Sequence, residues 1–168
     1  MEKGYAFTAK GLKYEVTKAN ERGYGTVVVK GITNKKLKTL KIPEAVKVGG
    51  VRFMVTEIGK KAFKGHEYLK TIFIGKKVIT VGAAAFQDCK AITTVRVGAN
   101  VTTIGDKAFY NDPNLKEVNI VSVDLKTVGK NAFGKTADGI IVYIPGRKFE
   151  EYSALLAGKG LAKTVQFK

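Results

Sequence analysis

The sequence predicts a β-rich α/β solenoid: a right-handed coil with a parallel sheet on one face, an N-terminal β-hairpin cap and a C-terminal helix–strand cap. Three observations predict it. Phe63, Phe86, Phe109 and Phe133 fall 23, 23 and 24 residues apart. Gly59, Gly82, Gly105 and Gly129 keep the same spacing, as do Ile72, Val95, Val118 and Val142. Each copy also carries a short alternation of aliphatic and other residues, in "TIFI", "TVRV", "EVNI" and "IVYI". A fixed period of this length describes coils that bury their apolar faces only against one another.

The elements follow in chain order. "LKYEVTKA" and "GTVVVKGI" alternate apolar and polar residues around "NERGYG", as a β cap closing the first coil would. "KLKTLKIP" supplies the strand half of a first repeat through Leu37, Leu40 and Ile42. The insert "EAVKVGGVRFMV" then delays the next Ile-Gly, and its Gly49-Gly50 pair reads as a tight hairpin turn. In the repeats, the alternating segment is a strand and the Gly a corner that needs positive φ or close approach. The Ala permits tight packing, and the Phe fills the core behind the sheet. Phe149, Tyr152, Leu155 and Leu156 have helical spacing, Gly158 and Gly160 stop that helix, and "KTVQF" makes a last strand. One domain of four to five coils over 1–168 is expected, with caps at 1–36 and 147–168 and repeats at 37–146.

Composition narrows the function. The 168 residues are 45% hydrophobic and 26% charged, a globular rather than a disordered balance. No stretch approaches the roughly 18 consecutive apolar residues of a membrane helix. Nor does the N-terminus carry an apolar run of secretory type. The formal net charge of +16 favours polyanionic partners. Yet only Arg22, Arg52, Arg96 and Arg147 are Arg, and Lys grips phosphate as a point charge without the bidentate fork. A solvated coat explains this spread of lysines better than a nucleic-acid site. A single Cys and a single His exclude a disulfide framework and most metal or acid–base arrangements. No catalytic residue, metal or cofactor is predicted.

These repeats resemble the BspA-type bacterial leucine-rich repeats, whose form is L-x-x-I-x-I-P…V-x-x-I-G-x-x-A-F-x-x-C-x-x-L. Here Leu69, Ile72, Ile74, Val78, Val81, Gly82, Ala85, Phe86, Cys89 and Ile92 carry it, with their equivalents in each coil over roughly 37–146. The Cys position holds His66, Cys89 and Asp112, and the strand-ending Pro survives only at Pro43 and Pro145. The resemblance implies surface display or secretion, as part of a longer chain trimmed here, and adhesion to host or bacterial surface proteins or glycans. It implies no enzyme.

Two kinds of site remain. Cys89 and His66 occupy the same repeat position one coil apart, and nothing orients the His as a base, so both are read as packing residues. The outward strand positions are the candidates: Lys41, Phe73, Arg96, Asn119 and Tyr143 should form one column on the open sheet face. Thr39, Thr71, Thr94, Glu117 and Ile141 should form the next. An Arg among aromatics suits a binding surface, although aromatics on sheets also serve cross-strand pairing. The leading expectation is a monomeric binding module using this face. The alternatives are a spacer within a larger surface protein and a polyanion binder using the turn lysines Lys60, Lys61, Lys64, Lys76, Lys77, Lys107 and Lys130.

Overall fold

The structure, a computed structural model, describes residues 1–19 and 24–168. Most of the expected "NERGYG" turn lies outside them. Alternation in the N-terminal segment produces three strands, β1 (Ala6–Ala9), β2 (Leu12–Lys18) and β3 (Tyr24–Ile32). β1 pairs β2 and β2 pairs β3, both antiparallel. After β4 (Thr39–Lys41), the strands β5 (Ala45–Val48) and β6 (Val51–Ile58) make the hairpin predicted at Gly49-Gly50. Both glycines have positive φ, 54° and 79°, as the two-residue turn requires. β3 then pairs β6 in parallel, which welds the cap to the first coil.

Each following coil contributes two strands. They are β7 (Thr71–Phe73) and β8 (Thr80–Val81), β9 (Thr94–Val97) and β10 (Thr103–Ile104), and β11 (Glu117–Ile120) and β12 (Thr127–Val128). The last coil has β13 (Ile141–Tyr143), a 3-10 turn at Gly146–Lys148, the helix α1 (Phe149–Leu156) and β14 (Gln166–Phe167). Tyr152 and Leu156 turn the helix's apolar stripe inward, and the Tyr152 hydroxyl accepts the Leu125 N–H at 2.7 Å.

The expected parallel sheet on one face is present, and a second sheet lies beside it. One sheet runs β14-β13-β11-β9-β7-β4, all parallel, on the predicted strand positions. A second runs β1-β2-β3-β6-β8-β10-β12, with β5 on β6. Its repeat strands are the Thr-Val and Thr-Ile pairs directly before each corner Gly.

The Gly itself is required by close approach rather than by positive φ. A Cβ on Gly82 would lie 2.7 Å from both the Ile58 carbonyl oxygen and the Lys60 nitrogen; on Gly105 it would lie 2.6 Å from the Ala83 nitrogen. Backbone meets backbone at this point in every coil.

The third side of each coil is the Ala-Phe turn. Phe63, Phe86, Phe109 and Phe133 stack with centroids 5.1, 5.2 and 5.4 Å apart and planes within 8° of parallel. Around them the backbone forms its own ladder: Phe63 N–H donates to Ala85, Phe86 to Ala108, Phe109 to Ala132 and Phe133 to Lys159. This geometry puts Lys61, Ala84, Lys107 and Asn131 in the left-handed region, with φ of 52–57°. Such a conformation costs a residue with a Cβ roughly 1–2 kcal/mol, and Asn tolerates it best. Lys61→Asn keeps the Lys61 N–H bond to Ala83 and should stabilise the protein by about 0.5–1 kcal/mol in urea unfolding. An unchanged midpoint would contradict the strain at this position. One continuous apolar core runs from Leu12 to Leu156.

Candidate functional site

In the six-stranded sheet the inward side chains Leu40, Ile72, Val95, Val118 and Val142 are buried. Their neighbours therefore project outward. The pairing register brings Lys41 opposite Phe73, Phe73 opposite Arg96, Arg96 opposite Asn119 and Asn119 opposite Tyr143. All five predicted residues thus share one row, spanning roughly 19 Å at the usual strand separation. Thr39, Thr71, Thr94, Glu117 and Ile141 form the parallel row beside it by the same register.

Phe73 is 39% exposed and Tyr143 36%, so two large rings stand in solvent on the outer face of this sheet. Lys41 Nζ sits 5.8 Å from the Phe73 ring centroid, so the end of the row is a cation against an aromatic face. Among the described residues, neither Lys41 nor Arg96 makes an ion pair. Two cations and two aromatics therefore face solvent in one line, with Asn119 as the neutral hydrogen-bonding member.

The other candidates separate. Cys89 is fully buried; its thiol donates to the Phe63 carbonyl at 3.0 Å. Burial, helped by Asp112, pushes that thiol up to about 12, away from the reactive thiolate. His66 is also buried, but neither ring nitrogen has a hydrogen-bond partner. Asp112 completes the column: Oδ1 accepts the Cys89 N–H at 2.8 Å, while Oδ2 has no partner. Burial raises its carboxyl to about 8, with Asp88 adding to the shift and the Cys89 N–H and Lys90 opposing it. The period placed Asp112 in this column, but nothing in it distinguished a buried carboxyl from an exposed one.

The turn lysines do not form one patch. Lys60, Lys61, Lys64, Lys107 and Lys130 belong to the Ala-Phe side, whereas Lys76 and Lys77 lie at the corner between the two sheets. Lys64 and Lys76 are partly neutralised by Asp88 at 3.7 Å and Glu44 at 3.1 Å. Among the described residues no helix is long and apolar enough to cross a membrane.

Stacked coils of this length, with a Phe column and two parallel ladders, define a leucine-rich-repeat solenoid. A profile of the BspA type Leucine rich repeat region matches residues 32–153 in six copies, more than the four to five coils read from spacing. The chain belongs to this family. No curated protein matches it. Among solved structures, a leucine-rich repeat protein from Bacteroides ovatus superposes with a TM-score of 0.70 at 24% identity. That match covers 98% of this chain and 38% of the other, so this chain spans well under half of that relative. A leucine-rich repeat protein from Bacteroides capillosus gives 0.69 at 20% identity, covering 97% and 98% of the two chains. A leucine rich cell surface protein from Faecalibacterium prausnitzii gives 0.66 at 21%, covering 98% of this chain and 43% of the other.

Proposed function

We propose that the chain is a non-enzymatic, surface-displayed module that binds a protein or glycan through the open face of the six-stranded sheet. The row Lys41–Phe73–Arg96–Asn119–Tyr143 carries this reading, because it lines up exposed aromatics and unpaired cations over a rigid support. Aromatic and Arg side chains are the residues that most often dominate binding energy. A rigid repeat face presents them without the cost of ordering the backbone on binding. Surface display is supported by the Faecalibacterium neighbour, described as a cell surface protein.

The test is binding to immobilised matrix proteins, sulfated glycans and bacterial wall polymers at low and high salt. A Phe73→Ala/Arg96→Ala/Tyr143→Ala variant runs alongside. Binding that survives high salt and falls at least tenfold in the variant is the expected result, since a single well-placed anchor is worth about 2 kcal/mol. Binding that disappears with salt and ignores the variant would transfer the function to the lysine coat. No binding to any of these would leave a spacer role.

A further inference from the structure

A second candidate site lies at the junction of the N-terminal cap and the first coil. It is a cleft of about 530 Å³ between the end of β3, the loop after it and the first Ala-Phe turn. Five lysines line it, Lys13, Lys30, Lys35, Lys36 and Lys64. Glu67 is the acidic residue in the lining; Glu15 pairs Lys30 at 3.3 Å and Asp88 pairs Lys64 at 3.7 Å. Lys13, Lys35 and Lys36 have no carboxylate within ion-pair distance among the described residues, and lysines outnumber carboxylates around the cleft by two.

The second observation is independent of charge. His66 also lines the cleft; the residue is only 8% exposed, and both of its ring nitrogens lack a partner. Buried polar groups are almost always satisfied, so two open ring nitrogens in a cleft wall call for a partner. Burial lowers the affinity of this imidazole for a proton, and the nearby Asn34 carbonyl and Glu67 oppose that shift without completing a bond to the ring. A neutral imidazole still presents one N–H donor and one acceptor to whatever enters. The remaining wall is apolar or aromatic: Ile32, Phe63, and Tyr68 at the rim, 45% exposed.

From the lysines, the unsatisfied imidazole and the aromatic rim, we infer that this cleft binds an anionic sugar, with the oxyanion among Lys13, Lys35, Lys36 and His66 and the ring against Tyr68. Lys supplies point charges suited to a tetrahedral oxyanion. The cavity is of the size that holds one or two sugar rings. Sulfate esters of host glycans and phosphate esters of bacterial wall polymers share this chemistry. The site is separate from the sheet face, and its failure would leave that proposal standing.

Because His66 is the sole histidine in the chain, its ring resonances report on this cleft alone. The experiment titrates the protein at constant ionic strength with the sulfate and phosphate monoesters of N-acetylglucosamine, the uncharged sugar, and inorganic sulfate and phosphate. Saturable shifts of the His66 ring are expected with at least one ester, and the tighter ester identifies the source. Lys35→Glu/Lys36→Glu, both exposed loop positions, should weaken binding at least tenfold. Lys116→Glu/Lys163→Glu, with the same charge change elsewhere, should leave it within twofold. An unmoved His66 ring with every probe, or equal weakening by both pairs, would overturn the site. Inorganic ions binding as tightly as the esters would overturn the sugar assignment.

Discussion

Replacing Phe109 by Ala should destabilise the protein by about 3–5 kcal/mol. Phe109 is fully buried between Phe86 at 5.2 Å and Phe133 at 5.4 Å. Truncation removes its transfer free energy, leaves a cavity and breaks two ring contacts worth about 0.5–1.5 kcal/mol each, which partly overlap with that total. Collapse cannot fill the gap easily, because the backbone on either side is tied to its neighbours. Phe86 N–H donates to Ala108 and Phe109 N–H to Ala132, so the coils keep their spacing whatever the side chain. Urea unfolding checks the value. A loss under about 1 kcal/mol would mean that the Phe column is ornament on a structure held by its ladders.

The second large effect concerns pH. Asp112 is fully buried and its carboxyl is raised to about 8, chiefly by burial. An unfolded chain titrates the same group near 4. Between these values the folded state holds a proton that the unfolded state has lost, so this group's contribution is complete below about pH 4 and drains away as pH rises through 8. The slope is about 1.4 kcal/mol per pH unit. Asp112→Asn retains an acceptor for the Cys89 N–H and removes the titration. The stability of the variant minus that of the native protein should therefore climb by a few kcal/mol from pH 4 to pH 8. A difference that stays flat would mean that Asp112 is ionised in the folded protein, with its charge compensated.

The parts of the fold legible in the sequence are those where residue type and period agree. The strands β7, β9, β11 and β13 each bury alternate residues, so an alternation of three or four residues sufficed to place them. The Phe column, the Gly49-Gly50 turn and the helix at Phe149–Leu156 were legible for the same reason. The repeat strands of the second sheet were not. They are two residues long, as at Thr80–Val81 and Thr103–Ile104, and two residues cannot display a period of two.

Left-handed backbone at Lys61, Ala84 and Lys107 was equally hidden, because those residue types do not announce it. The pairing of β3 with β6 joins segments far apart in the chain, and local pattern carries no information on such a contact. The row of Lys41, Phe73, Arg96, Asn119 and Tyr143 followed directly from the period, since the register of equivalent strands is the repeat itself. The cleft at His66 did not, because the cap supplies half of its wall.

The molecule divides into a buried scaffold and an outward row that the scaffold merely holds. The unfolding free energy of the Phe73→Ala/Arg96→Ala/Tyr143→Ala variant, measured in urea beside its binding, tests that division most directly. The predicted result is stability within about 1 kcal/mol of the native protein, as for surface changes in general, with binding lost. A loss of several kcal/mol with binding intact would contradict it, and would make those side chains part of the sheet's own cross-strand packing.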